Sequence, residues 1–109
     1  QCQQLYHSWG IRIPDINCSY LTSAVGVVYG TSQKLAIRKE ILQAVSEQYG
    51  VSVSAVDSGI RRMIDQLEAK PAEGWTQFKA ESGFEAEKPT TGKLIYAIKR
   101  YLIQQKSRE

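Results

Sequence analysis

The chain has 109 residues, 42% of them hydrophobic, which suits one globular domain over 1–109 with a single core. No apolar run approaches the roughly 20 residues that span a bilayer, and the start shows no signal-peptide pattern. A formal charge of +3 permits nucleic-acid binding without demanding it.

From Gln1 to Trp9, apolar residues at Cys2, Leu5, Tyr6 and Trp9 have helical spacing, and Gly10 ends the run. Gln1 in place of Met reads as a segment trimmed from something longer. Ile11 to Asp15, with Pro14, forms a connector. A second helix is predicted from about Cys18 to Tyr29, with Tyr20, Leu21, Ala24, Val25, Val28 and Tyr29 inward and Gly30 as its stop. Thr31 and Ser32 offer capping oxygens for a third helix through Tyr49, burying Leu35, Ile37, Ile41, Leu42, Val45 and Tyr49. Lys34, Arg38, Lys39, Glu40 and Glu47 lie on its outer face.

The stretch from Val45 to Arg62 organises the rest. Gly50 stands where a helix-ending left-handed residue is wanted. Ser54-Ala55-Val56-Asp57 resembles a capping box opening the next helix. Val45, Tyr49, Val51, Val56 and Ile60 flank the turn and can lock two short helices together. This is the pattern of a helix-turn-helix, over about 35–69, whose second helix enters the DNA major groove. A plain αα-hairpin joined at a glycine shares part of it.

The fourth helix is predicted from Ala55 to about Ala69, with Val56, Ile60, Met63, Ile64 and Leu67 buried and Asp57, Ser58, Arg61, Arg62 and Asp65 outward. Gly59 inside it implies close packing against the preceding helix. Pro71 prevents continuation. Ala72 to Lys88 is less regular, with Trp75 and Phe78 on a short helical turn and Phe84 over a core edge. Pro89-Thr90-Thr91 opens a last helix with Leu94, Ile95, Ile98, Tyr101 and Leu102 inward and Lys93, Lys99 and Arg100 exposed. The expected class is all-α, a compact bundle of five to six helices.

No arrangement for catalysis emerges, so no enzymatic activity is expected. His7, the lone histidine, has no neighbouring acid to orient it. Gly26 and Gly30 lie on and after a helix, not in a phosphate loop after a strand. Cys2 and Cys18 cannot close a zinc shell, and His7 is not spaced with them as a ligand. Both thiols read as small buried apolar groups in a reducing, cytoplasmic compartment. No metal or other cofactor is called for.

With the helices laid out, the chain resembles the C-terminal DNA-binding effector domain of stage zero sporulation protein A, a bacterial sporulation response regulator. The likeness runs from about Leu5 to Leu102. Its strongest pieces are Gly10-Ile11-Arg12-Ile13-Pro14, Tyr20-Leu21 through Val28-Tyr29, Ser54 through Ile64, and Lys88-Pro89-Thr90. The resemblance implies a six-helix bundle with a helix-turn-helix, duplex DNA binding and transcription regulation. It implies paired domains on tandem sites, with an upstream receiver domain or RNA polymerase as further partners. The family's recognition helix carries early Arg residues that read bases; here those positions are Ala55 and Ser58, and Asp57 is the acidic one. Arg61 matches the family and Arg62 replaces its His, so positive charge has moved about one turn along the helix, and a different DNA site is expected.

Two functions follow from different classes. In the first, the helix from Ala55 enters the major groove of double-stranded DNA, with Ser54, Ala55, Asp57, Ser58, Arg61 and Arg62 towards bases or phosphates. Lys34, Arg38, Lys39, Lys88 and Lys93 then position the backbone. In the second, the fold serves as a protein-protein interaction module that has lost base readout, as the small side chains of Ala55 and Ser58 suggest. For Arg61 and Arg62, a solvated face pairing with Asp57, Asp65 or Glu68 accounts for the same spacing, and each lysine taken alone reads as ordinary surface.

Overall fold

The computed structural model describes residues 2–11 and 15–107. Among these are six α-helices, one π-helical segment and no strand, as the all-α reading expected. The connector predicted over 11–15 lies largely outside the described residues, at Arg12, Ile13 and Pro14.

Helix α1, Cys2–Ser8, buries Leu5 and Tyr6. Gly10 ends it with φ 79°, and the Ile11 N–H closes the turn on the Tyr6 carbonyl at 3.1 Å. Helix α2, Ile16–Tyr29, begins two residues before its predicted start because the Asp15 carboxylate caps it, accepting from the Asn17 N–H at 2.8 Å. Its inward stripe is Cys18, Tyr20, Leu21, Ala24, Val25 and Val28. Tyr29 departs from the expected stripe and is exposed. Burial pushes the Cys18 thiol up to about 11 and raises that of Cys2 as well, so neither is a thiolate at neutral pH. Cys2 is only half-buried, less than its expected burial.

The third helix does not start at Thr31. Residues 31–36 are irregular because α6 supplies their hydrogen bonds: Tyr96 Oη accepts from the Leu35 N–H at 3.0 Å and donates to its carbonyl at 3.2 Å. Lys99 Nζ, expected to be exposed, donates to the Thr31 carbonyl at 2.8 Å and is half-buried. The Thr31 hydroxyl closes a local turn on Gln33 and caps nothing. Winding begins as a π-helical segment, Ile37–Leu42, and passes directly into α3, Gln43–Tyr49. Ile41, Leu42 and Val45 are fully buried, whereas Leu35, Ile37 and Tyr49 are half-buried.

Helix α4, Val53–Ala69, buries Val56, Ile60, Met63, Ile64 and Leu67, the predicted stripe. Helix α5, Glu73–Glu81, occupies part of the stretch expected to be less regular. Trp75 and Phe78 anchor it: Trp9 meets Trp75 edge-on at 4.8 Å and Phe78 at 5.1 Å. Such pairs contribute about 0.5–1.5 kcal/mol each beyond their buried area. Lys79 is buried beside them, its Nζ donating at 2.8 Å to Glu68, which also accepts from Trp75 Nε1 at 2.8 Å. Burial works to raise the Glu68 carboxyl, but the bonds from Lys79 and Trp75 outweigh it and hold it below its ordinary range. Helix α6, Thr91–Ser107, is capped by Thr90, whose hydroxyl accepts from the Lys93 N–H at 3.3 Å. It buries Leu94, Ile95, Ala97, Ile98 and Leu102. Helix α2 is central, packed against α3, α4, α6 and the π segment.

Candidate nucleic-acid interface

Gly50 does end α3, at φ 67°, and its N–H and that of Val51 both turn back to the Ser46 carbonyl. Two residues later α4 begins. Its cap is Ser52 rather than Ser54: the Ser52 hydroxyl accepts from the Ala55 N–H at 3.0 Å. A serine two residues earlier in the same register suits the extended backbone of the turn, and helix winding already runs from Val53, so Ser54 is inside the first turn.

Gly59 packs closely, but against α2 and not against the preceding helix. A Cβ there would stand 2.4 Å from Asn17 Oδ1 and 3.3 Å from the Tyr20 ring. This contact sets how α4 lies across α2 and therefore which α4 residues face water. Those are Ser54, Ala55, Ser58, Arg61, Arg62, Asp65, Gln66 and Ala69.

Asp57 is not among them, a correction to its predicted outer position. It is buried, and its carboxylate collects three donors at 3.2 Å: Arg38 Nη1, Arg61 Nε and the Thr91 hydroxyl. One acid thereby ties the π segment, α4 and the start of α6 together. Burying a carboxylate is unfavourable without such partners. The two guanidinium groups stay largely in water, with side chains 58% and 70% exposed, so Asp57 orients them at the surface without sequestering them. The Arg61 partnership is an i,i+4 pair open to sequence reasoning; Arg38 and Thr91 arrive through the fold. Thr91 is a residue sequence reasoning missed, since its hydroxyl looks like part of a helix cap.

Lys88 is exposed and pairs with Asp65 across the gap between α4 and the entry to α6. Arg61, Lys88 and Thr90 line one notch of about 350 Å³ beside α4. Lys34 and Lys93 meet instead in a neighbouring groove of about 680 Å³, which also includes Thr90. Arg62 and Lys39 are exposed and make no ion pair among the described residues. Among the described residues no three His, Cys, Asp or Glu side chains gather as a metal site, and His7 is exposed on α1. No described helix is long and apolar enough to cross a membrane.

No protein-family model, curated protein or solved structure matches the chain.

Proposed function

We propose that this chain is a DNA-binding regulatory domain of helix-turn-helix type, as its resemblance to the sporulation regulator effector domain implies. The observation that carries this is the outward row of α4, which follows a left-handed glycine turn and leaves Ser54, Ala55, Ser58 and Arg62 free on one exposed face. A helix bearing short side chains and one unpaired arginine can lie deep in a major groove, where arginine donates to guanine O6 and N7. Arg61 and Arg38, held on Asp57, and Lys88 on the adjoining loop border that face and suit phosphate contact. Ala55 and Ser58 give little base discrimination, so Arg62 carries most of it.

The test is fluorescence anisotropy with a random-sequence duplex pool at low and near-physiological salt, followed by selection of the bound fraction. Salt-sensitive binding with an enriched motif is the expected result. Absence of binding even at low salt would overturn the assignment.

A second reading, a protein-interaction module with the same fold, is favoured by one observation: Arg38, Arg61 and Lys88 each already have a carboxylate partner in the free chain. Under that reading a protein partner is captured through α4 while duplex DNA is ignored.

A further inference from the structure

We propose that the groove between the 34–37 segment, the α5–α6 connection and the first turns of α6 is a binding site for a small anion with a flat aromatic body. Its volume, about 680 Å³, lies within the range of small-molecule sites, roughly 300–1,000 Å³. Ile37, Phe84 and Tyr96 form apolar walls, each only half-buried in the free chain. Lys34, Lys93 and Arg100 line the same groove, and all three are exposed without an ion-pair partner among the described residues. Against these three cations stands one acid, Glu87, leaving the lining with a net charge of +2.

The walls are held in place by contacts between α6 and the 34–37 segment. The two hydrogen bonds between Tyr96 Oη and the Leu35 backbone fix the ring and the 34–37 segment relative to each other. Gly92 lets Ile37 lie directly on α6, because a Cβ would stand 2.8 Å from its side chain. Apolar faces left in water gain by covering with a flat ring, and the surrounding cations select a carboxylate or phosphate on that ring. An aromatic carboxylate and a nucleoside monophosphate share this chemistry. The site does not include the outward row of α4, so it stands whether or not that helix binds DNA.

The test uses the whole chain and the fluorescent aromatic anion anilinonaphthalene sulfonate. Saturable binding is expected, weakened roughly tenfold or more when Lys34, Lys93 and Arg100 are all replaced by Ala, and tightened by Glu87→Lys. Competition then separates the sources: stronger displacement by adenosine monophosphate identifies a nucleotide site, and stronger displacement by indole acetate a carboxylate site. Three results would overturn the assignment: no saturable dye binding, dye affinity unmoved in both charge variants with circular dichroism unchanged, or displacement by inorganic phosphate as effective as by either aromatic anion.

Discussion

Replacing Asp57 separates its two roles, because stability and DNA affinity should move in opposite directions. The Arg38 and Arg61 side chains are more than half exposed, so each ion pair contributes only about 0.5 kcal/mol. Thr91 is buried, and stranding its hydroxyl costs about 1–3 kcal/mol. Asp57→Ala loses all three contacts and should therefore destabilise by roughly 2–4 kcal/mol. Asp57→Asn keeps an acceptor for Thr91 and should cost about 1 kcal/mol, a fall in melting temperature of roughly 4–8 °C for a domain near this size. The same Asn variant leaves 14 basic residues against 10 acidic, a net charge of +4 in place of +3. It also frees two guanidinium groups beside α4, so its affinity for duplex DNA should rise, with a salt slope steeper by about one. Urea titration by circular dichroism and anisotropy at two salt concentrations measure the two effects. An Asp57→Ala protein within about 0.5 kcal/mol of the parent would refute the assigned three-way contact. Unchanged or weaker DNA binding by a folded Asp57→Asn protein would remove Arg38 and Arg61 from the interface.

Glycine substitutions should split by neighbour: Gly26→Ala has nothing within 4 Å of the new Cβ and should stabilise α2 by roughly 0.5–1 kcal/mol. Gly74→Ala puts its Cβ 2.2 Å from the Ser8 backbone oxygen and should cost about 1–3 kcal/mol in the same denaturation assay. Because the Glu68 carboxyl is depressed in the folded chain, its contribution is present above the ordinary glutamate value of about 4.3 and is lost as pH falls through the lower folded value. In a urea-midpoint series across acid pH, Glu68→Gln should lack that part of the decline, and an identical slope in parent and variant would exclude it. Arg62→Ala should cost about 1–3 kcal/mol of discrimination at one position of a selected DNA motif, without loss of stability; an unaltered motif would show that Arg62 reads no base.

The buried stripes of α2, α4 and α6, apart from the exposed Tyr29 and the half-buried Tyr101, were legible because helix periodicity repeats locally, and so was the left-handed Gly50 turn. Misplaced were the features decided between elements. Thr31 and Ser32 have the chemistry of caps, yet Tyr96 and Lys99, more than sixty residues on, bind the same backbone and hold it out of a helix. Ser54 has the chemistry of a cap for α4, yet the extended backbone after Gly50 puts Ser52 in that place. Asp57 was placed outward because its helical position borders the stripe, and two partners from other elements turned it into a buried anchor.

The order of polar and apolar residues alone determined an all-α chain, because turn-by-turn burial and glycine or proline stops are properties of neighbours in sequence. Which cations remain free at the surface was decided by tertiary structure. Arg38, Arg61 and Lys88 acquired carboxylate partners 19, 4 and 23 residues away, while Lys34 and Lys93 were brought to one groove. The partner of a long flexible side chain is set by whatever charge the fold carries within its reach, and only the shortest of those separations can be read from helical spacing.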